Sequence, residues 1–492
     1  MYASARPSRL TEGFGTSNTS ADAELSTSLR NLRSRSRQLV RDAAYAKRAK
    51  IVIQNNVVGS GIGMQALVQT ASGTMIERIN KDIEAAWERW TRADSCHAGG
   101  TLHFSDIERL AIGQVFEAGE IFIRKHYRKF GNSEVPFALE VIEPERVPDE
   151  LQPSPVSENA RVRMGVETDE FYRPIAYWVR KLHPGELRRT PNETDYIERV
   201  PANQIIHLKV IDRWPQTRGE PWLHCTARKL NDMDGYSEAE IIAARGAATY
   251  MGFIESDGEF GEETENGNRE VTLEPGIVET LRPGEKFNFA SPNRPNANMD
   301  PFMRMMLREV AAGVGVSYES LSRDYSQSNY SSSRLSLLED RDLWRVIQQW
   351  FIRTLRAELH REFLQQAIFA RAITTIRVDE YALNPEKYLS VRFKPRGWSW
   401  VDPTKEVAAY KEAVRGGFST VSEVISFTSS GRDLEDVLTE REQELKLMAE
   451  KGLQFDTDPG AEAKEPAPVS EDDSATDTAG GKSNGNGKKH FN

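Results

Sequence analysis

The chain has 492 residues, enough for two or more domains with a sizeable buried core. Hydrophobic residues make up 38% of it and charged residues 28%, and no apolar run approaches the roughly 20 residues that cross a bilayer, so a membrane pore is not expected. The formal net charge of −10 argues against a protein that grips DNA over a broad basic face. The two cysteines and the lack of a signal-peptide-like start fit a reducing cytosol.

Both ends of the chain are predicted to be disordered. Residues 1–27 are rich in Ser, Thr, Ala and Gly, and residues from 453 onward combine acidic, Pro and Gly-Asn-Gly stretches, so neither end has enough apolar surface to bury. The body begins with an amphipathic helix from about Leu29, in which arginines stand between apolar positions. Two further helices are predicted over 75–93 and 104–119.

The pattern changes after residue 120. Short β-branched or alternating runs, separated by Pro, Gly and Asn, continue to about residue 210 and predict a mainly antiparallel β region. Within it, GVETDEFYRPIAYWV predicts a hairpin whose turn lies between Val166 and Ile175.

Long helices dominate the second half. The apolar spacing predicts a helix over 221–255, a compact β-like segment with two Pro-Gly turns after it, and another helix over 300–312. A loop dense in Ser, Tyr and Gly then leads to a very long helix over 332–369, whose Trp344, Trp350 and Phe351 are expected in the core or in a subunit interface. Three short helices are predicted over 402–452.

Three patterns invite an enzymatic interpretation. VVGSGIG places Gly59, Gly61 and Gly63 as GxGxG, but Met64 stands where a dinucleotide motif needs its last glycine. AGGKS near the C-terminus lacks the first P-loop glycine, because Thr476 takes its place, so no ATPase motor is predicted. The third pattern groups possible metal ligands or a Cys-His nucleophile: Asp94, Cys96, His97, His103, His224 and Cys225. Turn and core roles are favoured for all of these.

Several strings in order carry a family resemblance. They are RQLVRDAAYAKRA with NNVVGSGI, GEIFIR, VIEPERV, the hairpin string, QIIHLKV with RGEPWL, LEPGIVETLRPGE, VAAGVGVSYESLSRDYSQSNYSSSRLSLLE and VDPTKEVAAYKEAVRGGFST. Together they resemble the lambda-type family of tailed-bacteriophage portal proteins over about residues 29–452. GVSYESLSRDYS with NYSSSR is the most specific of them.

The resemblance implies an α+β fold with a wing, a long-helix stem, a small β-rich clip and a helical crown. It implies a disordered segment 1–27, a wing over 28–220, a stem helix 221–255, a clip 256–299, a second stem helix 300–315, a tunnel loop 316–334, a long wing helix with a return to the wing sheet over 335–401, a crown 402–452 and an acidic disordered tail 453–492.

The implied function is that of one subunit in a ring of about twelve, at the unique capsid vertex, through which the genome is packaged and ejected. Implied partners are double-stranded DNA held without sequence preference, the terminase large subunit, the major capsid and scaffold proteins, and a head-completion or connector protein. The ring is also implied to nucleate procapsid assembly. The implied location is the virion, after assembly in the host cytoplasm. No membrane, metal, cofactor or catalytic activity is expected.

The same resemblance directs attention to two segments. The residues expected to face DNA on the tunnel loop are Arg323, Asp324, Tyr325, Asn329 and Tyr330. The residues expected to face terminase and the connector on the clip are Glu274, Pro275, Gly276, Arg282, Pro283 and Gly284.

Two alternatives make different predictions. A nucleotide-binding enzyme requires a strand, a turn and a helix around Gly59. A nucleic-acid adaptor with a basic helix requires DNA affinity that depends on Arg33, Arg35 and Arg37.

Overall fold

A computed structural model describes most of the chain between residues 18 and 453. The described ranges are 18–151, 160–186, 196–249, 252–256, 285–289, 298–327, 329–398, 403–428 and 434–453, with Arg9, Gly13 and Gly15 before them. The chain forms two compact units, Met1–Arg396 and Gly397–Asn492.

The first unit opens with a group of helices. Their bounds are Ala21–Asp42 (α1), Ala44–Val57 (α2), Glu77–Trp90 (α3), Ala93–Cys96 (α4) and Phe104–Ala118 (α5). The expectation of disorder up to residue 27 is wrong for its last part, because the Ser20 side chain accepts a hydrogen bond from the Ala23 amide and starts α1 at Ala21. The end of α5 is as predicted, with Gly119 in the left-handed conformation that glycine favours.

The predicted antiparallel β region is present. Its strands are Glu120–His126 (β2), Ala138–Ile142 (β3), Arg161–Arg163 (β4), Val166–Thr168 (β5), Pro174–Arg180 (β6), Ile197–Pro201 (β7) and Ile205–Lys209 (β8), preceded by Gly63–Ala66 (β1). β3, β2 and β8 form one sheet, and β4 to β7 form a second sheet in chain order. The predicted hairpin is confirmed, since Val166 of β5 pairs with Tyr177 of β6.

The predicted helix over 221–255 is too long at both ends. The structure places α6 at Ala227–Thr249 and then a strand, Gly252–Ser256 (β9), which pairs antiparallel with Glu285–Phe289 (β10). Before α6, the Trp222 amide donates to the carbonyl of Phe116, so this stretch is tied to α5 as a turn. The spacing of apolar residues alone does not reveal such a long-range hydrogen bond.

The remaining helices of the first unit come after β10. They are Met299–Val314 (α7), Tyr318–Ser322 (α8), Tyr330–Phe351 (α9), a π-helical segment Ile352–Arg356, Ala357–Phe369 (α10), Val378–Leu383 (α11) and Pro385–Tyr388 (α12). The very long helix predicted from about residue 332 is therefore present, with a π-segment that the sequence did not indicate. Strand Val391–Lys394 (β11) closes the unit by pairing with β1.

Aromatic side chains form the core between the early helices and α10. Trp87 and Trp90 of α3 meet Phe363 of α10 with ring centroids 5.0 and 5.2 Å apart, and Phe104 lies 5.3 Å from Trp87. These rings contribute a large share of the apolar burial here, because each aromatic side chain removes about 150–250 Å² from water. Of the long-helix aromatics, Trp344 and Phe351 are buried, as expected.

A buried charge cluster joins α1 to the first sheet. Glu120, at the start of β2, accepts hydrogen bonds from Arg33, Arg218 and His207 at 2.7–3.0 Å. Burial opposes ionisation of Glu120, but the adjacent Arg218 guanidinium and the His207 hydrogen bond hold its pKa well below the ordinary value. The arginine of the RGEPWL string is thus structural.

The second unit is helical where it is described. Its helices are Pro403–Arg415 (α13), Val421–Thr428 (α14) and Leu434–Lys451 (α15). Three helices were predicted here, although α15, with 18 residues, is longer than expected. Helices and antiparallel strands together give the predicted α+β class.

Candidate functional site

The segment predicted to be a tunnel loop, 316–334, is largely ordered by two helix caps. Ser317 caps α8 by accepting a hydrogen bond from the Ser320 amide, and Asn329 caps α9 by accepting one from the Ser332 amide. The expectation of a single loop is therefore wrong. Ser and Asn are common in loops, but here they satisfy the free amides of helix N-termini.

Asp340 of α9 fastens α8 in place. Its carboxylate accepts hydrogen bonds from the amide and hydroxyl of Ser317, at 2.8 and 2.7 Å, and from the hydroxyl of Ser320 at 2.6 Å. Asp340 is only 5% exposed. The predicted DNA-facing segment thus begins on a rigid support, which the sequence did not reveal because Asp340 lies 20 residues beyond Ser320.

Asp324 is engaged within the protein. Its carboxylate accepts hydrogen bonds from the Ser326 amide at 3.0 Å and from the Tyr318 hydroxyl at 2.8 Å, and it lies 3.4 Å from the Arg304 guanidinium. Hydrogen bonds from Ser326, followed by that from Tyr318, lower the pKa of Asp324 to about 2. Its charge is therefore directed towards α7 and α8.

The other predicted tunnel residues occupy distinct positions. Arg323 ends α8 with φ 59° and is exposed, and the Tyr325 side chain is 61% exposed. Asn329 is exposed at the start of α9, and Tyr330 begins that helix. Asp324 and Asn329 have hydrogen bonds within this segment, whereas Arg323 and Tyr325 are exposed.

Arg48 of α2 is a neighbour that the sequence did not connect with this segment. Its Nε donates to the carbonyl oxygen of Ser320 at 3.2 Å, which brings α2 against α8. Burial, followed by the nearby charge of Arg323, lowers the pKa of Arg48. The Arg48 guanidinium therefore lies beside the last turn of α8, which Arg323 follows.

The six residues predicted for the clip site lie outside the described residues. They are Glu274, Pro275, Gly276, Arg282, Pro283 and Gly284. Strand β9 leads into this segment and strand β10 leads out of it. The two strands pair with each other, with Ser256 opposite Glu285.

The structure contradicts the nucleotide-site alternative at Gly59. The turn joins the end of α2 to β1, so the order is helix, turn and strand, the reverse of what a dinucleotide fingerprint requires. A nearby cavity of about 590 Å³ contains Glu108 and Arg356, but these form a buried ion pair, with Nε and Oε1 2.5 Å apart. The charges of Glu108 and Arg356 are therefore engaged with each other.

The candidate metal and nucleophile residues do not form a site among the described residues, where no group of three or more His, Cys, Asp or Glu side chains could hold a metal ion. Cys96 is buried, and burial raises its pKa to about 12, which disfavours the thiolate. No described helix is long and apolar enough to span a membrane.

The basic-helix alternative is also contradicted, at two of its three arginines. Arg33 is 3% exposed and bonds to buried Glu120. Arg37 lies 2.9 Å from Glu145 and 3.5 Å from Glu143. Only Arg35 of the three is exposed, because Arg33 and Arg37 pair with acidic groups elsewhere in the first unit.

Comparison with known proteins gives a family for this combination of features. Residues 7–348 match the family described as "Phage portal protein, lambda family". The chain belongs to the lambda family of phage portal proteins. The predicted resemblance and the portal function are thereby confirmed, and proteins of this family are structural assembly proteins.

Relatives with curated descriptions agree with this family. The "Probable portal protein" of Halomonas phage phiHAP-1 is 30% identical over 462 residues, which cover 91% of this chain and 87% of that protein. "Portal protein B" of Escherichia phage lambda is 21% identical over 479 residues, covering 88% of this chain and 87% of that protein.

Among solved structures, this chain is similar to a chain in the neck of a native gene transfer agent particle computed with C12 symmetry. The TM-score is 0.43 at 15% identity, covering 80% of this chain and 92% of that one. A chain in the neck of the empty particle, computed with C6 symmetry, has a TM-score of 0.44 at 14% identity, covering 82% and 94%.

Proposed function

We propose that this portal protein assembles into a closed ring of about twelve copies around a passage for double-stranded DNA. The observation that carries the proposal is that the middle of α6 is uncovered in the single chain. From Asp234 to Arg245 no residue of α6 is buried, and Ile241 and Ile242 are 49% and 60% exposed. Exposed apolar side chains on a long helix indicate a surface that another subunit covers.

α7 has the same property near its start and packs on α6. The rings of Tyr236 in α6 and Phe302 in α7 lie 5.2 Å apart, and Lys229 forms an ion pair with Glu309. Met305 of α7 remains 58% exposed. A pair of helices with uncovered apolar residues suits repeated contacts of one subunit with the next, which close into a ring by rotation.

We assign the parts of the portal on this basis, with limits adjusted to the observed elements. α6 and α7 form the stem, and the segment between them, including β9 and β10, forms the clip that faces terminase and then the connector. Helices α1–α5 and the two sheets form the wing, together with α9, α10 and β11. Residues 315–329 form the tunnel segment, and α13–α15 form the crown.

The partners and location belong to the same proposal. DNA passes without base readout, because the tunnel segment offers short polar and cationic groups rather than an element that could enter a groove. The terminase large subunit supplies the energy for packaging, the capsid and scaffold proteins surround the wing, and the ring resides at the capsid vertex after assembly in the host cytoplasm. No catalytic role is proposed for the chain.

Charged substitutions on α6 test the assembly. We expect the double variant I241D/I242D to remain folded but to lose the ring, because carboxylates would be buried without partners at each subunit contact. The control is L383D, since Leu383 is 87% exposed on α11, outside the proposed stem. Circular dichroism checks the fold, and light scattering checks the mass.

If I241D/I242D forms rings as completely as the unchanged protein, the proposal that α6 lies at a subunit contact fails. Loss of rings by L383D to the same extent would also count against it, because the effect would then not be specific to α6.

A further inference from the structure

The glycine-rich turn after α2 leaves a recess on the surface of the first unit. The recess has a volume of about 370 Å³ and lies between residues 59–61 of the turn and residues 394–396 at the end of β11. It continues into the cavity of about 590 Å³ described above, because Ser60 and Gly61 line both spaces. Spaces of this size accept several residues of a peptide and not merely a small ion.

Glycine is required in this turn because two cationic side chains lie close to its backbone. A Cβ atom at Gly59 would be 3.4 Å from the Cδ of Arg396, and a Cβ atom at Gly63 would be 3.3 Å from the Cβ of Lys394. Gly59 also has a φ of 62°, in the left-handed region that glycine favours. The glycines of the VVGSGIG pattern therefore leave room for Lys394 and Arg396, both of which line the recess.

The two sides of the recess are held in fixed positions. Gln348 of α9 is only 2% exposed, and its Nε2 donates to the carbonyl of Asn56 at 2.8 Å and to that of Arg396 at 3.0 Å. The Arg396 guanidinium in turn donates to the carbonyl of Asn55 at 2.7 Å, in the last turn of α2. The recess is thus preorganised, which reduces the entropy lost when a ligand binds.

The positive charge of the recess is not balanced within the first unit. Lys394 and Arg396 are exposed, and neither forms an ion pair with any residue that the structure describes. None of the described residues that line the recess is acidic. The carbonyl that Arg396 contacts is neutral, so the charge of the guanidinium remains. In a chain with 74 acidic and 64 basic residues, two such cations in one recess indicate a place for an external anion.

We propose that Lys394 and Arg396 bind the carboxylates of an acidic peptide segment of a protein partner, which enters the recess beside the Gly59 turn. Ammonium and guanidinium groups form charge-assisted hydrogen bonds with carboxylates. A carboxylate stands at the end of a flexible side chain and can enter a recess, whereas the phosphates of a DNA duplex are fixed on a stiff double helix. The site belongs to the first unit of one chain and does not depend on the ring.

The test measures binding of a fluorescent hexaglutamate peptide to the full-length protein by anisotropy, with hexaglutamine as the uncharged control peptide. We expect K394A/R396A to bind hexaglutamate about tenfold more weakly than the unchanged protein, because two charged contacts are lost. The exchange K394R/R396K keeps both charges and should retain most of the affinity. Hexaglutamine should bind weakly to every variant.

The matched control is K129A/R161A. Lys129 and Arg161 are also an exposed lysine and an exposed arginine of the first unit, and neither lines the recess or the adjoining cavity. This variant should bind hexaglutamate as the unchanged protein does. Circular dichroism checks the fold of each variant. If K394A/R396A does not fold, K394A alone takes its place, since it keeps the Arg396 hydrogen bond, and a loss of about threefold is expected.

Equal binding of hexaglutamate by the unchanged protein and K394A/R396A, including no binding by either, overturns the site. An equal loss in K129A/R161A also overturns it, because the attraction would then be a general effect of positive charge. A short DNA duplex and inorganic phosphate are added as competitors. If either displaces the peptide more effectively than unlabelled hexaglutamate at the same concentration of negative charge, the site binds phosphate and the proposal of an acidic peptide is wrong.

Discussion

Two histidines, His207 and His360, are buried beside cationic side chains. Burial, with a contribution from Lys209 for His207 and from Arg356 for His360, lowers the pKa of each to about 4. Both are therefore neutral in the folded protein at pH 7 and stay so until the pH falls near 4. In the unfolded chain a histidine takes up its proton at about pH 6.5.

These two histidines make the folded protein less stable in acid. Between about pH 6.5 and pH 4 the unfolded chain binds protons that the folded protein does not, so the free energy of unfolding falls as the pH falls. Above pH 6.5 their contribution is constant. The free energy of unfolding, measured with urea, is expected to fall less between pH 7 and pH 4.5 in H360F than in the unchanged protein. The difference should be about 2 kcal/mol.

Phenylalanine fits the surroundings of His360. The imidazole lies between Trp87 and Phe393, with ring centroids 5.8 and 6.0 Å away, and its Nε2 has no hydrogen-bond partner among the described residues. If the free energy of unfolding of H360F depends on pH as steeply as that of the unchanged protein, the lowered pKa of His360 is contradicted.

Individual charged residues were the hardest part to predict. The arginines near the start of the chain share one helical pattern, yet Arg33 is buried against Glu120 while Arg35 is exposed. Glu120 comes 87 residues after Arg33, so no local pattern joins them. For the same reason the contact of Arg48 with the Ser320 carbonyl emerged only from the fold.

At the scale of elements, the attachment of α8 to α9 by Asp340 can be tested directly. We expect D340A to leave the Ser317 amide and two serine hydroxyls without their acceptor, which costs about 1–3 kcal/mol locally. Hydrogen exchange of amides in residues 317–322 should then become about tenfold faster or more, with the ring retained.

Asp342 provides the control on the same helix. Its side chain is 74% exposed and pairs only with Arg345, 2.9 Å away, among the contacts described for it. D342A should not change exchange in residues 317–322. Unchanged exchange in D340A would show that α8 is held by other contacts.

Elements with strong local signals were predicted well. The helix ending at Gly119, the antiparallel strands and the hairpin after Val166 are present as expected. The short helix α8 was missed because Ser favours loops and helix caps alike, and a cap forms only where the residues after it can continue as a helix. The strand Gly252–Ser256 was missed because its partner begins at Glu285, beyond any local pattern.

At the scale of the whole molecule, the family was predictable because ordered motifs extend along most of the chain. The match over residues 7–348 confirms it. The placement of sites within that fold was less predictable, since it depends on which charges find partners inside the protein. The proposed ring depends in turn on α6 and α7, which leave apolar side chains uncovered in the single subunit.

The mass and shape of the purified, unmodified protein test the ring most directly. Light scattering combined with negative-stain microscopy should give closed rings of about twelve subunits with a central hole. A compact monomer or dimer that persists at high protein concentration would contradict the ring, and with it the interpretation of α6 and α7 as the stem.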